Sequence, residues 1–167
     1  MHSFAELVDH CTEFTLEALK QANERAVDGL QISAATPLGK ALQIVQLQKA
    51  ISAVGMFSLF EAMLQDCLGC SDGFREAQEI LERAGETALK ERFVDLQQAI
   101  NVLKHGRGRS YDALILRADR LPFKIKRPGE TFFFEGDVSE IATLIDVDDA
   151  FVLNCAKVIR QVTETIR

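Results

Sequence analysis

Glu86-Thr87-Ala88-Leu89-Lys90-Glu91-Arg92-Phe93-Val94-Asp95-Leu96-Gln97-Gln98-Ala99-Ile100-Asn101-Val102-Leu103-Lys104-His105 decides the fold class. Leu89, Phe93, Leu96, Ile100 and Leu103 recur at spacings of four, three, four and three, so one stripe of an amphipathic helix faces a core. Gln97, Asn101 and His105 follow at i, i+4 and i+8 and form a polar face beside it. Gly106 supplies the left-handed stop expected after a helix, and Ser110 is placed to cap the next one.

Working back toward the N-terminus, the same period predicts a helix over 3–28. Phe4, Leu7, Cys11, Phe14, Ala18, Ala22 and Ala26 lie on its inner face, and Gly29 ends it. Thr36-Pro37 opens a second helix, Thr as N-cap and Pro at the first helical position, running to Leu68. Its most apolar window, 50–64, is too short to span a bilayer and reads as the central helix of a bundle. There Ala50, Ser52, Ala53, Gly55 and Ser58 allow neighbours to approach closely. A third helix over 72–83 turns Phe74, Ala77, Ile80 and Leu81 inward and Glu76, Glu79 and Glu82 to solvent.

Beyond the quoted stretch, a short helix over 111–117 gives way to alternation. Leu121, Phe123 and Ile125 interleave with Pro122, Lys124 and Lys126, and Arg127-Pro128-Gly129-Glu130 suits a type II turn. With 131–135 as the returning strand, this predicts a small β-hairpin near residues 121–135. Its Phe132, Phe133 and Phe134 exceed what one face buries. Asp146 or Asp148 caps a last helix with Val152, Cys155, Ile159, Val162 and Ile166 as its stripe. The expectation is one all-α domain over 1–167, a bundle of about five helices with a hairpin insertion; 167 residues at 47% hydrophobic content suit a single sizeable core.

Chemistry concentrates at the end of the quoted helix. Asn101, Lys104 and His105, followed by Arg107 and Arg109 in Gly106-Arg107-Gly108-Arg109, gather an amide, an imidazole and three cations. Such a histidine suits general acid work or phosphate binding near neutral pH. The competing reading is a helix end that hydrogen-bonds loop carbonyls, followed by a solvated connector. The segment 104–127 carries eight Lys/Arg and two acids, +6 against −12 for the remainder of a chain with net charge −6. That asymmetry guides polyanions to one region, with Tyr111 and Phe123 available to stack on bases.

The Asn-x-x-x-His spacing late in a helical chain resembles the HEPN superfamily of all-α proteins. There a helix carries Arg, a polar residue, three others and His, at a homodimer interface. In active members this forms a composite, metal-independent endoribonuclease site. Asn101 and His105 match the polar residue and the histidine, whereas Ile100 stands where active members place Arg. The resemblance implies a homodimer through the motif helix and a nucleotide-, RNA- or protein-binding module of a defence or toxin–antitoxin type system. As a ribonuclease, His105 would move a proton, Asn101 would orient it, and Arg107 or Arg109 would stabilise phosphate charge. A purely structural dimerisation domain is the third reading.

Other signals are weak. Cys67-Leu68-Gly69-Cys70 has no second Cys/His pair at zinc spacing and no preceding strand, and with Cys11 and Cys155 it reads as ordinary buried thiols. Asp146, Asp148 and Asp149 fail the calcium-loop template, since Phe151 holds the turn-glycine place. No Gly-rich phosphate loop follows a strand. No metal or cofactor is expected. The opening residues enter a helical pattern at once, without a tripartite leader, which predicts a cytoplasmic protein away from membranes.

Overall fold

The computed structural model describes residues 3–32, 36–132 and 137–166. Among these the chain forms six helices: α1 (Phe4–Ile32), α2 (Thr36–Leu68), α3 (Gly73–Arg83), α4 (Thr87–His105), α5 (Arg109–Ile115) and α6 (Asp149–Ile166), with a 3-10 turn at Ala118–Arg120. The all-α reading holds, and helix starts follow local chemistry. Asp72 accepts from the Arg75 amide at 3.0 Å to cap α3, and Asp148 accepts from the Phe151 amide at 2.8 Å to cap α6. Ser110 does not cap α5; Gly108 holds that place, and no side chain bonds the first turn.

Helices α1 and α2 form a long antiparallel pair, with the Phe4 ring stacked on Phe60 (6.2 Å) at one end and Gly29 against Leu38 near the other. Gly29 therefore does not end α1, which continues to Ile32. The glycine serves a close approach, since a Cβ there would sit 3.0 Å from a Leu38 methyl. The inner face of α1 also differs from the sequence expectation. Ala5, Val8, Thr12, Leu16 and Ala26 are buried, while Leu7, Cys11 and Phe14 are exposed.

Helix α2 packs on α1, α3, α4 and α6, as a central helix must, and α6 shares that position. Helix α6 packs on α1, α2, α3 and α4 and buries Phe151, Val152, Cys155, Ala156, Val158, Ile159 and Val162. Helix α2 presents one face, including Ala50, Ala53, Phe57, Phe60 and Leu64, to the core. Its opposite face is open to solvent, and Gly55 and Ser58 lie on that side rather than between helices. As a whole α2 is long and apolar enough to cross a membrane, although only the window 50–64 invited that question in the sequence. Two ion pairs fasten α6 to the long pair: Lys49 to Asp149 at 2.7 Å and Arg160 to Asp9 at 3.0 Å.

Four rings from three helices close the core. Phe57 and Phe60 of α2 each lie within 6.3 Å of both Phe74 of α3 and Phe93 of α4, centroid to centroid, and Phe74 and Phe93 are 5.3 Å apart. Gly73 makes the α2–α3 corner possible, because a Cβ there would meet Leu64 Cβ at 2.8 Å, the Glu61 carbonyl oxygen at 2.9 Å and the Gln65 nitrogen at 3.0 Å. Two of these neighbours are backbone and cannot rotate away. Gly73→Ala is expected to lower the unfolding free energy by about 1–3 kcal/mol, in the range of overpacked cores, despite the better helix propensity of Ala. A urea titration followed by circular dichroism checks it; an unchanged or raised midpoint would show that α3 can slide on α2.

The β-hairpin is the principal correction. Arg127-Pro128-Gly129-Glu130 does form a turn of the predicted kind, with Gly129 at φ +83° and the Glu130 amide donating to the Arg127 carbonyl at 3.0 Å. Among the described residues, the segment before it pairs with a distant stretch instead. Ile125 bridges antiparallel to Ile145, with the Lys126 amide donating to Leu144 and the Asp146 amide to Lys124. Phe123, Ile125, Ile145 and Val147 thereby join the core. Among the described residues no strand forms, and Phe133, Phe134 and Glu135 of the expected second strand lie outside them.

Candidate nucleic-acid interface

Helix α4 delivers the motif residues as its period dictates. Leu89, Phe93, Leu96, Ala99, Ile100 and Val102 are buried, which rotates Asn101 to a half-buried position and leaves Lys104 and His105 exposed in the last turn. Asn101 and His105 share one face by their spacing of four. Gly106 ends the helix at φ +73°, a left-handed value that side chains rarely adopt. Gln97 does not continue the open face, because its Oε1 accepts from Gln78 of α3 at 2.7 Å.

The turn beyond α4 is basic and anchored by one tyrosine. Tyr111 is buried, and its hydroxyl donates to the Lys126 carbonyl at 2.8 Å. The Arg107 guanidinium lies over its ring, 5.7 Å from the centroid. Tyr111 therefore fixes α5 against the 121–127 segment and does not offer a face to a base, contrary to the expectation from sequence. Phe123 likewise is buried, edge-on to Phe151 at 5.3 Å. Arg109, the first residue of α5, is exposed.

Salt bridges divide the basic segment into two parts. Downstream, Arg117 pairs with Asp95 (2.7 Å), Lys124 with Asp146 (3.8 Å), Lys126 with Glu140 (3.7 Å) and Arg127 with Asp119 (2.6 Å). Asp146 and Asp149 thus neutralise cations, and Asp148 caps α6, which accounts for the acidic cluster. Upstream, Lys104, His105, Arg107 and Arg109 form no ion pair among the described residues, and downstream the exposed Arg120 forms none either. Asp112, one turn beyond Arg109, does not come within ion-pair reach of it.

A second polar constellation escaped the sequence reading. The Arg117 guanidinium reaches back to α4, donating to Gln98 Oε1 at 2.7 Å and pairing with Asp95. Burial holds the Asp95 carboxyl above the usual carboxylate range; Arg117 opposes that shift and Glu91 adds to it. The signal was present in Asp95 and Gln98 at i and i+3, on the flank of an otherwise apolar stripe. Its role is to lock the chain after α5 onto α4, just below the basic turn.

The four cysteines are free thiols. Cys155 is buried, and burial pushes its thiol far above the ordinary value. Cys11 and Cys67 are exposed and Cys70 is half-buried, so the reading of all four as buried holds for Cys155 alone. Cys67 and Cys70 belong to the end of α2, where Gly69 at φ +61° lets the Cys70 amide close on the Gln65 carbonyl. Among the described residues no group of three His, Cys, Asp or Glu side chains converges to hold a metal. Three cavities, of about 490, 430 and 290 Å³, are lined by residues other than Asn101 and His105. Comparison with protein-family models, curated proteins and solved structures finds no match for this chain.

Proposed function

We propose that this protein is an HEPN-like RNA-binding module that takes the phosphate backbone at the α4–α5 turn. The carrying observation is that, among the described residues, Lys104, His105, Arg107 and Arg109 meet no countercharge, while Arg117, Lys124, Lys126 and Arg127 are paired within the fold and Arg120 is the one downstream cation that is not. An uncompensated basic turn on a chain of net charge −6 attracts polyanions to that turn. Asn101 adds an amide on the same helix face, with no side-chain hydrogen bond among the described residues. Binding is favoured over turnover because Ile100, at the place of the arginine in active HEPN members, is a core residue and Arg107 is held over Tyr111. The resemblance further implies a defence or toxin–antitoxin setting.

The test is fluorescence anisotropy with a labelled single-stranded RNA in excess chelator, titrated across salt. With about three phosphates neutralised, affinity is expected to fall roughly 20-fold between 50 and 200 mM salt. Combining Arg107→Ala with Arg109→Ala should flatten the log–log slope by about 1.4. An unchanged slope, or no binding by wild type at low salt, overturns the reading. The same mixtures on a denaturing gel address turnover: cleavage by wild type that is lost in His105→Ala would replace binding by metal-independent ribonuclease chemistry.

A further inference from the structure

The outer face of α2 has the composition of an interface. From Gln43 to Ala62 its exposed residues are Gln43, Ile44, Leu47, Gln48, Ile51, Ser58, Leu59 and Ala62, and none is charged. A solvated helix of this length ordinarily carries charge on its outer side. The span's two charged residues lie off that face: Lys49 is turned to Asp149, and Glu61 is half-buried. Ile44, Leu47, Ile51 and Leu59, with Leu7 and Phe14 of the adjoining α1, are between 49% and 77% exposed. These six side chains leave on the order of 700 Å² in water, beyond the ~300–600 Å² apolar patch of a typical monomer and close to the roughly 800 Å² per partner of a stable interface.

The order of side-chain sizes along this face identifies the occupant. Ile44, Gln48, Ile51, Gly55, Ser58 and Ala62 succeed one another at spacings of four, three, four, three and four, a single seam of alternating heptad positions. Its N-terminal half is bulky and its C-terminal half small. Run antiparallel about a two-fold axis near Ala53, the seam sets Ile44 against Ala62 of a second copy, Gln48 against Ser58 and Ile51 against Gly55. Every large residue then meets a small one, and the polar pair meets each other. A parallel arrangement would crowd Ile44 and Ile51 at one end and leave voids at the other. Beside the seam, Leu7, Cys11, Met56 and Leu59 line an open apolar groove that flanks the incoming helix.

We infer that α2 is the dimerisation helix of this protein, packing antiparallel on α2 of a second copy through the seam from Ile44 to Ala62. This contact lies apart from the motif helix and from the basic turn at α4–α5, so it stands independently of RNA binding.

Gly55→Arg tests it, because no atom lies within 4 Å of a Cβ at Gly55 and the protomer has room for the side chain. Replacing a mid-helix glycine also favours the helix. Sedimentation velocity of the full chain from 1 to 100 μM should give a dimer for wild type and a dissociation constant at least roughly 100-fold weaker for Gly55→Arg, from the cost of an unpaired charge in the seam. Circular dichroism should show undiminished helix in the variant. A wild type that stays monomeric throughout, or a dimer that survives Gly55→Arg, overturns the inference. So does a monomer that floats with phosphatidylcholine vesicles, which would assign the face to a lipid surface.

Discussion

Phe93→Ala is expected to remove about 3–5 kcal/mol of stability, a large share of the ~5–15 kcal/mol that separates a folded domain from its unfolded chain. Phe93 is fully buried and is the contribution of α4 to the four-ring cluster. It meets Phe74 nearly perpendicular at 5.3 Å, Phe60 at 6.1 Å and Phe57 at 6.3 Å. Truncation removes one edge-to-face partner from α3 and two ring contacts from α2, and leaves a void bounded by stiff aromatic groups that cannot collapse into it. Urea unfolding should show the midpoint falling with an unchanged slope, whereas Phe14→Ala on the exposed side of α1 should leave it nearly in place. A loss under about 1 kcal/mol at Phe93 would mean that the rings repack, contrary to the cavity cost expected at a rigid site.

Helix α4 was legible because its apolar residues satisfy one period and no other, and the structure buries Leu89, Phe93, Leu96 and Ile100 as that period requires. Helix α1 was legible as a helix but not in its orientation. Two stripes competed there, and the bulkier one, with Leu7, Cys11 and Phe14, is outside. Close packing of the long antiparallel pair selected Ala5, Val8, Thr12 and Leu16 instead. A single sequence cannot reveal that choice, since apolarity alone does not distinguish a core from a second interface.

The region 121–135 shows the complementary limit. Alternation over 121–126 was legible, as was the type II turn after it, yet the stretch that Ile125 bridges lies at 144–146. Period-2 patterning specifies which residues face inward and leaves open which distant segment supplies the hydrogen bonds. At the basic turn, the clustering of charge was visible in sequence. Which charges are free was not, because each neutralising partner of Lys124, Lys126 and Arg117 comes from a remote element.

Ile100→Arg separates a chemical account of the motif from a structural one. It restores, in sequence, the arginine that active HEPN members place before the polar residue and histidine. Here Ile100 is only 3% exposed and lies between Ala99, fully buried, and the half-buried Asn101. A guanidinium at that position must stay in the core without a carboxylate or force α4 away from the helices it packs on. Burying an unpaired charge costs about 3–5 kcal/mol, so the variant should melt well below wild type and show no ribonuclease activity in chelator. The flanking Asn101 and His105 would be displaced with the helix, and salt-dependent RNA binding should weaken in parallel with the loss of fold. If Ile100→Arg instead melts like wild type and cleaves RNA, α4 tolerates a rotation that carries residue 100 to the surface. The departure at Ile100 would then be one of chemistry alone, with Asn101 and His105 already placed for cleavage.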